Sequence, residues 1–146
     1  MNQHNEMQTS FLSIAENESF ARVVVAAFAV QLRPTVSEIA DIKTAVSEAV
    51  TNAIVHGYEG SIGQVTLKAK IQDRNLLSIE ISDQGKGIPD ITQAMEPFYT
   101  THPEQERSGM GFAVMQTFMD DLSVDSTPGA GTTVRMSKRI RSGGGW

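Results

Sequence analysis

The segment from Thr35 to Gly57, TVSEIADIKTAVSEAVTNAIVHG, restricts the folds open to this chain more than any other. It opens with Thr35-Val36-Ser37-Glu38, a spacing at which the threonine side chain and the glutamate can each satisfy an orphan backbone N–H of the other residue. It closes on Gly57, a helix-stopping residue. Between these limits Ile39, Ile42, Val46, Ala49, Val50 and Ala53 fall on one face at 3.6 residues per turn. The pattern predicts a helix over about 36–56, and an apolar stripe of that length must be covered by another layer. Asp41, Thr44, Glu48, Asn52 and Val55 fall on the opposite face. That face reads in two ways. It is either a solvated back or a place where Glu48 and Asn52, one helical turn apart, present a carboxylate and an amide side by side.

The flanking pattern supplies the other layer. Phe11, Leu12 and Ile14 predict a short first strand. Asn17 is placed to cap a helix that begins at Glu18, carries Phe20, Val23, Val24, Ala27, Phe28 and Val30, and ends near Leu32 before Pro34. Val65, Leu67, Ala69 and Ile71 alternate with polar residues, as do Leu77, Ile79 and Ile81. With a turn at residues 72–75 they predict a hairpin. Further on, a helix is expected over 110–121, then strands over 122–126 and 132–140 around TPGAG. Helices segregated from mostly antiparallel strands predict an α+β, two-layer sandwich with helices on one face of a mixed sheet. Residues 1–140 are expected to form one domain, and the glycine-rich 141–146 a disordered tail.

Composition narrows the function. The chain has 146 residues, no cysteine and a formal net charge of -5. Without cysteine there is no disulfide or thiolate metal site, which suits a reducing cytoplasm. The acidic balance argues against non-specific nucleic-acid binding and points to protein partners or small ligands. The longest apolar run, Val23 to Val30, is too short for a membrane span.

Two loops could carry chemistry. Asp83-Gln84-Gly85-Lys86-Gly87 follows a strand. As structure it is a turn. As chemistry, the acceptor-only carboxylate suits the exocyclic amine of adenine, with glycines that allow close backbone approach. Arg107-Ser108-Gly109-Met110-Gly111 enters a helix, where exposed N–H groups and the helix dipole favour phosphate oxygens. It reads equally as a flexible helix entry.

Taken together, these segments resemble the N, G1 and G2 boxes of the ATPase superfamily that includes gyrase, the large heat-shock chaperone, sensor histidine kinases and MutL. NESFARV, SEAVTNAIVHGYE, ERSGMGF, FMDDLSVDSTP and GTTV are most similar to the sporulation anti-sigma-F factors of endospore-forming bacteria, over about Asn5 to Ile140. The resemblance implies a Bergerat-type ATP-binding fold, ATP/ADP and Mg2+ as ligands, and serine-kinase activity toward an anti-anti-sigma factor. It also implies a sigma-F partner and a homodimer. By the same resemblance Glu48 is the general base and Asn52 the Mg2+ ligand. Asp83, Gly85 and Gly87 belong to the adenine loop, Thr133 reaches adenine through water, and Arg107, Ser108, Gly109 and Gly111 form the phosphate side of a lid. Arg22 on the first helix is the candidate sigma contact. Gln84, Phe98 and His102 depart from the expected acidic residue, leucine and lysine, and the 57–63 loop is shorter than usual. Three alternatives share much of this pattern. They are an anti-sigma-B stress kinase, a nucleotide-gated sigma-binding module without transfer, and the ATP-binding domain of a sensor histidine kinase. The last is expected to come with a helical hairpin bearing a phosphoacceptor histidine, and none of His4, His56 and His102 lies in such a pattern.

Overall fold

A computed structural model describes residues 4–58, 61–72, 75–85 and 111–141. Its elements in chain order are β1 (Asn5–Leu12), α1 (Glu16–Ala29), α2 (Val36–Asn52), β2 (Gln64–Gln72), β3 (Leu76–Asp83), α3 (Gly111–Phe118), β4 (Asp121–Thr127) and β5 (Gly131–Arg139). The strands form one sheet in the order β1-β2-β3-β5-β4. Every neighbouring pair is antiparallel. The expected parallel component survives only at a distance. The β3–α3–β4 connection skips one position, so β3 and β4 run the same way with β5 between them.

Alternation along the strands sorts the two faces. Val65, Leu67, Ile71, Leu77, Ile79, Ile81, Val134 and Met136 are buried beneath the helices, joined by Ile42, Val46, Ala49 and Val50 from α2. Helix α2 lies between α1 and α3 and packs on both. The other face carries no helix among the described residues. It is crossed by a polar ladder in which Glu80 pairs with Lys68 at 3.7 Å and with Arg135 at 3.0 Å, and Arg135 also pairs with Asp125. Exposed pairs of this kind contribute about 0–1 kcal/mol each, so the buried face holds the fold together. No described helix is long and apolar enough to cross a membrane.

The predicted start of α2 is present in full. The Thr35 side chain accepts from the Glu38 N–H at 3.0 Å, and Glu38 Oε1 accepts from the Thr35 N–H at 2.9 Å. The second glutamate oxygen accepts from the Arg141 N–H at 3.1 Å, pinning the end of the described chain to the same helix start.

Several boundaries differ from expectation, each for a local reason. β1 begins at Asn5, six residues before the first predicted strand residue, because an edge strand is templated by its neighbour's backbone. Its ladder with β2 runs from Asn5↔Ile71 to Leu12↔Gln64, leaving Ile14 outside. Asn17 is not the cap of α1. The helix starts at Glu16 after Ala15, without a side-chain cap, and the Asn17 amide donates back to the Leu12 carbonyl at 2.9 Å. The apolar residues expected along α1 are not its buried ones. Ala21, Val25 and Ala29 are buried, while Phe20, Val23 and Val30 are exposed. At its far end α1 tightens into a 3-10 turn over Val30–Leu32, and Arg33 takes a left-handed φ of 55° before Pro34. α3 ends at Phe118 rather than near 121. Asp120 is drawn to the sheet by its own N–H, which donates to the Ser137 carbonyl at 2.8 Å, and by its carboxylate, which accepts from the Arg139 N–H at 2.8 Å.

Candidate functional site

Helix α2 does not run unbroken to His56. After Asn52 it widens into a π turn, Ala53–Gly57, closed by the Tyr58 N–H on the Ala53 carbonyl at 3.3 Å. Single π turns occur often at functional sites. This one brings Gly57 directly onto Asp83. A Cβ on Gly57 would lie 2.8 Å from the Asp83 carboxyl carbon, and one on Gly85 would lie 1.8 Å from the Gly57 carbonyl oxygen. The end of α2 and the loop after β3 are thus in contact through backbone, which only glycines permit.

Asp83 is the last residue of β3 and is 6% exposed. Its Oδ1 accepts from the Gly85 N–H at 2.9 Å. Burial pushes its carboxyl above the ordinary aspartate value of 3.8, partly offset by the backbone N–H groups of Gly85 and Thr132. A buried carboxylate with spare acceptor capacity is suited to a neutral N–H donor such as an exocyclic amine. Gly85, expected to touch nucleotide, therefore serves Asp83 directly.

Glu48 and Asn52 stand one turn apart and are both half-buried. Glu48 lines a groove of about 440 Å³ together with Arg22, Ala40, Lys43, Thr44 and Ser47. The structure therefore brings Arg22 of α1 to the same groove as Glu48. That proximity is set by a buried carboxylate. Glu18 of α1, 9% exposed, accepts from the Ser47 hydroxyl of α2 and lies 3.5 Å from Arg22 Nη1. Sequence reading gave Glu18 only the start of the helix and missed its buried bond to Ser47, for which the signal was an acidic residue on the buried side of α1.

Thr133 is out of register with Asp83 by one residue. Its partner across the ladder is Ser82, whose hydroxyl lies 3.2 Å away on the face opposite Asp83. The residue facing Asp83 across the strand is Thr132, 4% exposed, with its hydroxyl 2.8 Å from that of Ser126. The register of β5 on β3 puts Thr132 on the Asp83 face; alternation along β5 alone does not choose between it and Thr133. Gly111 opens α3. Gly87, Arg107, Ser108 and Gly109 lie outside the described residues, as do Phe98 and His102.

Among the described residues no group of three or more His, Cys, Asp or Glu could hold a metal. The donor set still fits Mg2+, which keeps several waters and phosphate oxygens and needs only one or two protein oxygens. The Asn52 amide oxygen is of that kind. A larger concavity, about 840 Å³, lies on the helix-free face among Lys68, Glu80 and Arg135. It contains neither Glu48 nor Asp83, and its floor is the solvated ion-pair ladder, so it is not the site.

The family model described as "Histidine kinase-like ATPase domain" matches residues 13–138. An anti-sigma F factor of Thermoanaerobacter sp. (strain X514) is 65% identical over 138 residues, covering 94% of this chain and 96% of the relative. The anti-sigma F factor of Clostridium acetobutylicum is 58% identical, with 93% and 94% covered. Among solved structures, the RsbU and RsbW domains of Rv1364c from Mycobacterium tuberculosis align with a TM-score of 0.67 at 16% identity, covering 93% of this chain and 32% of that one. A histidine kinase domain from Erythrobacter litoralis aligns at 0.56 and 16% identity, covering 88% and 63%. At such identities the two structures speak for the fold alone.

Proposed function

This chain belongs to the anti-sigma F factors, within the histidine kinase-like ATPase domains, and from that premise we propose that it is an ATP-dependent serine kinase and sigma-F inhibitor. It binds ATP with Mg2+, phosphorylates a serine of an anti-anti-sigma factor, and holds the sporulation sigma-F factor away from RNA polymerase. It acts as a cytoplasmic homodimer. The observation that carries this reading is one helix, α2, with Glu48 in a groove, Asn52 one turn later, and a C-terminal π turn packed on the buried Asp83.

Asp83 accepts from the adenine amine, and Thr132 beside it replaces Thr133 as the hydroxyl nearest the base. Gly87 lies against the ring. Arg107, Ser108, Gly109 and Gly111 hold phosphate oxygens from the lid. Asn52 contributes an oxygen to Mg2+, which when bound neutralises the phosphate charge. Glu48 takes the proton from the acceptor serine as its Oγ forms a bond to the γ-phosphorus. The bond from that phosphorus to the β–γ bridging oxygen breaks, and ADP departs. The protein's part is mainly positioning, with general-base help worth about 10²–10⁴-fold. Arg22, on the same groove as Glu48, contacts the protein partner.

The test combines the chain with labelled ATP, Mg2+ and a candidate anti-anti-sigma protein, followed by mass spectrometry for one phosphoserine. Glu48→Gln should abolish transfer while ATP binding persists. Undiminished phosphorylation by that variant would remove the base assignment. ATP-dependent sigma binding with no phosphoserine on any partner would leave a nucleotide-gated module in place of a kinase.

A further inference from the structure

The hydroxyl of Tyr58 sits where three backbone segments meet. It donates to the Gln64 carbonyl at 2.6 Å, at the start of β2. It accepts from the Gln84 N–H at 2.8 Å, one residue beyond Asp83. Tyr58 itself follows the π turn that ends α2. Its ring is fixed by close packing, since a Cβ on Gly63 would fall 2.1 Å from ring carbon Cε1. A phenol has one donor and can accept in return, and here both capacities are used on backbone.

We propose that Tyr58 is a positioning residue for base selection, holding the 83–85 backbone so that the Asp83 carboxylate faces the adenine amine. The inference rests on the assignment of Asp83 to that amine. Three contacts fix the carboxylate's surroundings. The Gly85 N–H holds Oδ1 at 2.9 Å, Gly57 packs on the carboxyl carbon, and Tyr58 holds the intervening Gln84 N–H. Two of the three anchors, Gly57 and Tyr58, come from the same turn. The π turn and the tyrosine after it therefore link the helix that carries Glu48 and Asn52 to the residue that reads the base. Without the hydroxyl, Gln84 loses the only side-chain partner of its N–H among the described residues, and the loop is free to relax. Displacements of about 1 Å in a positioned contact can cost up to about 10²-fold.

ITP is the informative probe. Its base carries a carbonyl in place of the exocyclic amine and a protonated N1 in place of an acceptor, so the ratio of ITP to ATP Kd reports on recognition of the base edge that Asp83 is proposed to face. Calorimetry of the full chain with Mg2+ should show Tyr58→Phe weakening ATP by about tenfold and ITP by less than about twofold, collapsing the ratio. Phenylalanine preserves the ring packing on Gly63, and thermal unfolding of the variant verifies that it is folded. Amide exchange of the nucleotide-free protein gives a second reading, in which the Gln84 N–H of Tyr58→Phe should exchange faster. Equal weakening of ATP and ITP, or unchanged binding of both, would overturn the positioning role, as would unchanged exchange at Gln84. A parent protein that binds neither nucleotide, or both alike, would instead overturn the adenine assignment of Asp83 beneath it.

Discussion

Replacing Asp83 with Asn should trade nucleotide binding for stability. The carboxyl is 6% exposed and burial raises its pKa above 3.8. A carboxyl whose folded pKa is raised stabilises the fold most below the unfolded value and loses that contribution as pH rises through the folded value. At neutral pH the empty site therefore holds a carboxylate at a cost. An asparagine keeps an oxygen that can accept from the Gly85 N–H without carrying charge. Nucleotide-free Asp83→Asn should have a higher Tm than the parent at pH 7, and the gap should close as pH falls toward 3.8. Binding should move the other way. A hydrogen bond to a charged group is worth about 1.5–3 kcal/mol, so losing the carboxylate should weaken ATP by roughly 10–150-fold. Thermal unfolding from pH 4 to 8, with and without Mg2+ and ATP, reads both effects. A parent protein more stable than the variant at pH 7 would refute the burial argument, and undiminished ATP affinity in the variant would refute the assignment to adenine.

Other perturbations separate neighbouring roles. Thr132→Val should weaken ATP binding measurably, whereas Thr133→Val, on the opposite face with Ser82, should leave the Kd unchanged by calorimetry. Gly131→Ala should destabilise by more than 1 kcal/mol in chemical denaturation, on the order of the cost of a strained backbone. Gly131 has a φ of +113°, and an added Cβ would lie 2.1 Å from the Asp83 carbonyl oxygen. Thr35→Ala removes the capping box and should cost about 1 kcal/mol of unfolding free energy with no change in ATP affinity.

The junction around Asp83 places the proposed adenine contact, the end of α2 and the start of β2 within a few hydrogen bonds of one another. Glu18 does the same for the other end of the site, joining α1 and Arg22 to Ser47 beside Glu48. A change in α1, where a partner is proposed to bind, thus has a short route to the residue proposed as base. The route consists of one buried carboxylate and one helix face.

The periodicities written in the chain were enough to specify the layers. The apolar stripe of α2, the capping box at Thr35 and the alternation in β2 and β3 are local signals, each set by a few neighbouring residues and backbone geometry. The one-turn spacing of Glu48 and Asn52 on α2 and the place of Asp83 at the end of a strand were legible for the same reason, while the roles proposed for them rest on resemblance. What the sequence left open depended on partners far along the chain. The length of β1 is decided by β2, which lies more than fifty residues later. The choice between Thr132 and Thr133 is decided by pairing with β3, since adjacent residues of a strand point to opposite faces. Arg22 shares a groove with Glu48 through helices tied by a buried glutamate on one and a serine on the other, and Tyr58 reaches Gln84 from the end of the π turn that closes α2. Side-chain period and caps act within a turn or two of chain, whereas register and burial are set between segments that meet only when the sheet and helices pack.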